Sequence, residues 1–331
     1  MVSENRACLI VNPNAGRKIG MTTNAFGVDD ARELLERHEI DAEVWCTERP
    51  GHATDLAKKA ASEGFRLVIA AGGDGTVEEA AEGLVGTDVI LGVLPLGSVM
   101  NIARMLGIPR DLDAAADVIK EQRVARIDIG RASTGARSAH FIEAAGVGID
   151  AGLFAYFNQL DNGNWRSLKP LITFMWRYRP RRLTLKVDGR VHRFNAMMVT
   201  IANGPYVGAA LTVAPEARVD DGRFDVEVFT RFGKLELLRH LLAIAWGRRS
   251  YNPKVRHFQA KIVEVIPDHP MMVHADSDPL ATTPARFEVL PSSLSVIVGA
   301  EPGCLPALTR MPAPAVQGTV AASETLTEQV V

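Results

Sequence analysis

The stretch from Val68 to Ala80 reads VIAAGGDGTVEEA. Small and β-branched residues run into Gly72, Gly73, Asp74, Gly75 and Thr76, and an acidic, alanine-rich stretch of helical composition follows at once. Glycines at a strand-to-helix turn permit positive φ and close backbone approach, so the N–H groups of the turn and of the helix start can point at phosphate oxygens. The stretch lacks the Gly-Lys-Ser/Thr ending of a Walker A loop, and its spacing is not that of the dinucleotide fingerprint. Asp74 brings negative charge to an anion site, which makes chemical sense only beside a cation or a transferable proton. The plainer alternative is a tight turn, and these residues alone fit both.

Such a loop needs a strand before it and a helix after it, and the flanking sequence supplies a series of both. ACLIVNP is a short apolar strand, and DDARELLERHEI is an amphipathic helix with Ala31, Leu34, Leu35 and Ile40 on one side. DAEVWCT follows as a strand, HATDLAKKAASEG as a helix closed by Gly64, RLVIAA as a buried strand and TVEEAAEGLV as a helix. VILGVLPLG is the next strand, and Met100 to Leu106 is helical. Strands alternating with helices predict a doubly wound parallel sheet, whose ligands bind beyond the carboxyl ends of the strands. Asn12, Thr47, Gly72 and Ser98 all fall there.

After about residue 127 the pattern changes. LTLKVDGRVHRF is a hairpin with Asp188-Gly189 as its turn, and RVDDGRFDVEVF reads as a second hairpin. HFQAKIVEVI, ARFEVL and LSVIVG add strands, and Gly233 to Trp246 reads as a helix. The expected fold is an α/β N-terminal domain with a doubly wound parallel sheet, plus a mostly antiparallel, β-sandwich-like C-terminal domain. The expected boundaries are 1–128 and 129–291, with 292–301 a final strand returning to the first domain and 302–331 a Pro-, Ala- and Thr-rich tail.

At 331 residues the chain is longer than one ordinary core holds, which leaves room for a cleft between two domains. No apolar run approaches the roughly 20 residues needed to span a bilayer, the N-terminus does not read as a signal peptide, and a cytoplasmic location is expected. The three cysteines, Cys8, Cys46 and Cys304, have no pairing or metal spacing. A net charge of −2 gives no field for nucleic acid, yet charge is uneven. From Arg166 to Arg190 the basic residues are interrupted only by Asp188, and from Arg231 to His257 only by Glu236.

Several segments together with GGDGT carry a resemblance. VNPNAG after the first strand, CTERPGHATDLA after the second and VLPLGSVMNIAR after the fourth resemble the catalytic domain of the diacylglycerol kinase family, in particular its small bacterial lipid kinases related to sphingosine kinases. ANGPYVGAALTVAPEARVDDGRFDV and HADSDPL resemble that family's second half, so the likeness runs to about residue 300. It implies a lipid kinase using ATP and Mg²⁺, active in phospholipid metabolism. By position it implies that Asn12, Thr47, Gly72, Gly73, Asp74, Gly75, Thr76 and Ser98 hold ATP. It puts the proton acceptor of the family's Asp-Gly-Glu on Asp278, with Asp276 beside it, and leaves Asp74 as the rival base. It also implies a metal site at Asp221 with the backbone carbonyls of Arg218 and Arg223.

The sequence departs from that pattern in places. Met100 and Asn101 replace Asn-Asp, which removes one carboxylate; Glu78 replaces an asparagine; Ser277 replaces a glycine; and Asp278 is one methylene shorter than glutamate. WRSLKPLITFMWRYRPRR, with Trp165, Phe174, Trp176 and Tyr178 among arginines, predicts peripheral contact with an anionic membrane surface. The partners expected are a lipid substrate and that surface, with no nucleic acid, and a homodimer is the assembly to test. The acceptor is of diacylglycerol, sphingoid or ceramide, or phosphatidylglycerol type. Two rivals stand beside the lipid kinase: an NAD kinase-like enzyme, which shares GGDGT, and a catalytically impaired lipid-binding regulatory protein.

Overall fold

A computed structural model describes residues 6–149 except 16, 19–20, 23–25 and 136; 169–170, 173, 178–230 except 208–210; 233; and 254–300 except 277. The N-terminal half runs β1 (Ala7–Val11), β2 (Arg17–Lys18), β3 (Met21–Thr22), α1 (Val28–Arg37), β4 (Ala42–Cys46), α2 (His52–Ser62) and β5 (Leu67–Gly72). Then come α3 (Asp74–Leu84), β6 (Ile90–Pro95), α4 (Asn101–Met105) and α5 (Leu112–Glu121). β1 and β5 are buried along their whole length, as strands covered by helices on both faces must be. Strands β4, β1, β5 and β6 lie side by side and parallel. Cys8 is buried in β1, and burial pushes its thiol up to about 12, which suits packing rather than chemistry.

The antiparallel part comprises β7 (Val124–Thr134), β8 (Arg137–Phe141), β9 (Ala144–Gly148), β10 (Arg181–Val187), β11 (Arg190–Ala196) and β12 (Met198–Ala202). It continues with β13 (Tyr206–Val207), β14 (Leu211–Thr212), β15 (Phe224–Phe229), β16 (Val255–Ala260) and β17 (Ile262–Pro267). β18 (Met272–Ala275), β19 (Asp278–Thr282) and β20 (Ala285–Ile297) complete it. One six-stranded sheet has the order β16-β15-β12-β9-β18-β19. It faces the antiparallel end of a ten-stranded sheet across a core that includes Phe141, Leu185, Phe224, Val263 and Phe287. This is the sandwich.

The two halves share that larger sheet. β20 is thirteen residues long; its first part pairs with β17, its whole length with β7, and its end runs parallel to β6 at Ser295 and Val296. ARFEVL and LSVIVG are thus one strand, irregular between Leu290 and Leu294 where Pro291 removes a donor. HFQAKIVEVI, in contrast, is two strands: β16 joins the small sheet and β17 the large one.

Asp188 and Gly189 both have positive φ (46° and 82°), as a two-residue hairpin turn requires. The second expected hairpin does not form. Only β15 is a strand, because Val219 O accepts the Asp128 N–H (2.6 Å) instead of pairing across the turn. The expected helix from Gly233 to Trp246 and the tail after Pro302 lie outside the described residues. Among the described residues no helix is long and apolar enough to cross a membrane.

In β7, Gly130 pairs with Phe141 of β8, whose ring would lie 2.1 Å from a Cβ at Gly130. That ring also stacks on Phe224 (centroids 5.3 Å apart), so it cannot step aside cheaply. Gly130→Ala should therefore lower stability by about 1–3 kcal/mol, read as a lower urea midpoint with unchanged slope. An unchanged midpoint would mean that the ring relaxes freely.

Candidate active site

β1 lies between β4 and β5, so the connections leaving β1 and β4 travel in opposite directions and open a crevice beyond their carboxyl ends. Asn12 stands at that crevice. Its N–H donates to Ala71 O (2.9 Å) and its side-chain amide to Thr76 Oγ1 (3.0 Å), which ties the first loop to the glycine turn. Thr47 follows β4, and its N–H donates to Val11 O (2.9 Å) beside Asn12. Glu79 of α3 accepts the N–H groups of Gly51 (2.8 Å) and Ala53 (3.2 Å), so an acid caps the start of α2 where its dipole favours negative charge.

Gly72 ends β5, and Gly73 caps α3. A Cβ on Gly72 would meet Thr76 Oγ1 at 2.4 Å, and one on Gly97, in the loop after β6, would meet Gly73 Cα at 2.8 Å. The two loops meet backbone to backbone at Gly73 and Gly97, beside the Leu96 N–H bond to Gly72 O (2.9 Å). Gly75 differs: it is exposed with nothing near its Cβ position, so internal packing does not account for it. Ser98 is exposed in the same loop as Gly97, and the Arg110 guanidinium donates to the carbonyls of Gly97 (3.2 Å) and Ser98 (2.8 Å).

Asp74 opens α3, and its Oδ1 accepts the N–H of Ile102 (3.1 Å) in α4. Burial holds its carboxyl above the usual range, opposed by the N–H groups of Ile102, Asn101 and Met100 and by the Arg110 charge. Met100 caps α4 at φ 56°, a left-handed conformation that a non-glycine residue rarely adopts. Gly97 N–H donates to its sulfur (3.2 Å).

From α4 the contacts continue into the second half. Asn101 Nδ2 donates to Glu143 Oε2 (2.8 Å). Glu143 is buried just after β8, and its carbonyl accepts the N–H groups of Asn203 and Gly204, each at 2.9 Å. Its own N–H donates to Asp276 Oδ1 (2.9 Å), which also accepts from Ala144 N–H (3.0 Å), while Asp276 Oδ2 accepts from Ile142 N–H (2.7 Å). Asp276 is buried, at φ 45°, and burial raises its carboxyl to about 6 against those three donors. Asp278 is exposed at the start of β19, opposite Ala275. Burial, and then the charges of Glu78, Asp276 and Asp74, push Glu143 well above the ordinary carboxylate range.

Asp221 lies at a separate corner. Its Oδ1 accepts the Arg223 N–H (3.0 Å) within the turn, the Arg218 side chain pairs with Asp220 (3.2 Å), and Asp128 accepts the Gly222 (2.6 Å) and Ser292 (2.8 Å) N–H groups. Burial holds Asp221 and Asp128 above the usual carboxylate range, and Asp220 adds like charge to both. Among the described residues no group of three or more His, Cys, Asp or Glu is arranged to hold a metal ion.

Residues 6–132 match the model of the diacylglycerol kinase catalytic domain, and residues 145–298 that of the YegS C-terminal NAD kinase beta sandwich-like domain. The two matches follow one another along the chain, a diacylglycerol kinase catalytic domain and then a YegS-type second domain. It is 28% identical over 309 residues to a diacylglycerol kinase of Bacillus subtilis (strain 168), covering 89% of this chain and 97% of that one. It is 26% identical over 294 residues to a diacylglycerol kinase of Staphylococcus aureus (strain JH9), covering 85% and 89%. A crystal structure of a diacylglycerol kinase from Bacillus anthracis str. Sterne shares the fold at TM-score 0.68 and 23% identity, over 91% of this chain and 98% of that one. The catalytic-domain match and these relatives support a kinase that transfers phosphate to a lipid hydroxyl. The likeness to NAD kinases lies in the architecture of the second half.

Asn12, Thr47, Gly72 to Thr76 and Ser98 stand at the carboxyl ends of the adjacent strands β1, β4, β5 and β6, Asp276 and Asp278 lie where β18 turns into β19 in the second half, and Asp221 stands apart. Glu143, Asp128 and Asn203 escaped the sequence reading. Glu143 supplies a carboxylate facing Asn101, where the sequence had pointed to the loss of one. No periodicity marks these residues; the one signal was a Glu between Ile142 and Ala144 in an otherwise apolar run.

Because the folded state raises the Glu143 pKa above its unfolded value, a charge there costs stability at high pH, and the cost vanishes below the unfolded pKa. Glu143→Gln should therefore melt higher than the parent at about pH 8, with the gap closing toward about pH 4. Calorimetry across that range checks it; a gap independent of pH would show that Glu143 does not titrate there.

Proposed function

We propose that the kinase takes ATP as its phosphoryl donor and transfers the γ-phosphate to a hydroxyl of a membrane lipid of diacylglycerol, sphingoid or ceramide, or phosphatidylglycerol type. The observation that carries this reading is the open position at Gly75: a helix start with free backbone approach, next to a carboxylate, at the switch point of a parallel sheet. Asn12, Thr47, Thr76 and Ser98 add amide and hydroxyl groups around it. Relatives named diacylglycerol kinase support a lipid acceptor.

Phosphoryl transfer asks the protein for positioning and charge neutralisation more than for covalent chemistry. In this reading the N–H groups of residues 73 to 75 cradle phosphate oxygens, while the Thr76 N–H closes the turn on the Gly73 carbonyl (3.0 Å), and Asp74 stands on the nucleotide side. Asp276 spends both oxygens on main-chain amides and so supports the strand rather than taking a proton. Exposed Asp278 is then the group to accept the proton of the attacking hydroxyl. Carboxylate and carbonyl oxygens suit Mg²⁺. Asp221 and the carbonyls of Arg218 and Arg223 would hold one such ion, and when bound it neutralises charge and stiffens the turn.

Arg179, Arg181 and Arg182 are exposed at the entry to β10 and suit an anionic bilayer surface. Tyr178, in contrast, is half-buried against a cluster of Ile149, Met197, Met198 and Phe229 and anchors this basic segment to the sheet. Trp165, Arg166, Phe174, Trp176 and Arg177 lie outside the described residues. A cytoplasmic enzyme acting peripherally on the membrane, as a monomer or homodimer, is the corresponding picture.

Transfer from [γ-³²P]ATP into a total lipid extract tests the reading, with the labelled product identified by mass. Asp74→Asn keeps an oxygen for the Ile102 N–H but removes the charge, and should cost at least ~100-fold in turnover with the fold intact. Asp278→Asn should suppress turnover without weakening ATP binding. No label in any lipid from the parent protein would end the proposal.

The interfacial part has its own check. Arg179, Arg181 and Arg182 changed together to Gln should reduce sedimentation with anionic vesicles, each arginine contributing on the order of 1 kcal/mol, and should spare turnover of a water-dispersed short-chain lipid. Equal loss on both substrates would place these arginines in the active site instead.

A further inference from the structure

The proposed catalytic groups stand on two separate halves, and a buried side-chain hydrogen bond between Asn101 and Glu143 joins them at α4. That helix has five residues, too few to hold its own shape in water. Its position is set from outside on both sides. From the nucleotide half, Asp74 accepts the Ile102 N–H. From the other half, Glu143 accepts the Asn101 amide, Arg104 lies over the Tyr206 ring (4.1 Å) and Met105 packs against Gly204. Glu143 in turn hangs on Asp276, which begins the turn that carries Asp278. A path of hydrogen bonds thus runs from the glycine loop to the proposed base.

We propose that the Asn101–Glu143 hydrogen bond is the latch that keeps the nucleotide half in register with the acceptor half, which makes both residues positioning residues for phosphoryl transfer. The inference rests on the kinase reading above. A carboxylate buried near Asp74, Glu78 and Asp276 is expensive, and an apolar pair of the same shape would cost less. What the polar pair offers instead is direction: it satisfies one relative placement of α4 and residues 142–144, whereas apolar packing tolerates sliding.

An isosteric exchange tests the latch. Asn101→Asp sets two carboxylates face to face and should lower kcat by at least ~10-fold while the KM for ATP stays within about threefold, since the misplacement is between halves and not within the nucleotide crevice. Glu143→Gln keeps an oxygen that can accept from Asn101 and supplies the second single variant of the cycle. The double variant, Asn101→Asp with Glu143→Gln, restores an amide facing a carboxylate in the reversed sense and should recover most of the activity lost by Asn101→Asp.

Amide hydrogen exchange gives a readout independent of turnover. Residues 101–106 and 142–144 should exchange faster together in Asn101→Asp and return together in the double variant. Should Asn101→Asp not fold, Asn101→Ala takes its place in the exchange measurement, with joint loosening of both segments expected. A double variant no better than Asn101→Asp, or loosening confined to one segment, overturns the latch. If the parent phosphorylates no lipid, the kinase reading fails by itself, and the exchange data still decide whether the two segments are coupled.

Discussion

A carboxylate removed from water must find donors, and Asp276 finds three in succession on the backbone of residues 142 to 144. Much of the active-site geometry hangs on that arrangement. It fixes the segment between β8 and β9, so the Glu143 carbonyl can take the N–H groups of Asn203 and Gly204 and its side chain can reach Asn101. It also uses up Asp276 itself, and leaves the neighbouring Asp278 as the carboxylate exposed at the mouth of the strand pair. Two acids separated by one residue therefore have different surroundings, set by where the donors are.

Around the glycine turn the governing constraint is space rather than charge. Gly73 and Gly97 let two loops from successive strands meet backbone to backbone, and a methyl group at Gly97 would separate them. Three residues beyond Gly97, Met100 starts α4 in a left-handed conformation. The strain is held by the packing of a buried Met100 and by the hydrogen bond from Ile102 to Asp74. The same approach leaves the exposed side of the glycine turn open, which is what a phosphate-bearing ligand needs.

Coupling between halves is covalent as well as polar. β20 passes through the sandwich, follows β7 for its full length and ends beside β6, so a single strand belongs to the packing of both cores. Relative motion of the halves must bend that strand, and its irregularity between Leu290 and Leu294, with Ser292 at positive φ, is where bending costs least. Ser292 there donates its N–H to Asp128, whose other oxygen holds the Asp221 turn. The proposed metal corner and the junction of the halves are therefore mechanically linked.

What the sequence determined by itself was local. Full burial of β1 and β5, the amphipathic face of α1, the glycine turn before α3 and the Asp188-Gly189 hairpin each depend on a few adjacent residues, and their periods and turn residues announce them. The resemblance to diacylglycerol kinases was legible for the same reason: it is carried by short strings of adjacent residues such as GGDGT and VNPNAG. Tertiary structure decided the rest. Whether RVDDGRF becomes a hairpin depended on Asp128 reaching Val219 from the far side of the fold. Whether HFQAKIVEVI is one strand or two depended on which sheet each half could join. Glu143 looked like an isolated acid in an apolar run, and only folding brought Asn101 and Asp276 to it from 42 and 133 residues away. Burial and partnership are properties of the assembled interior, and no period in the chain encodes them.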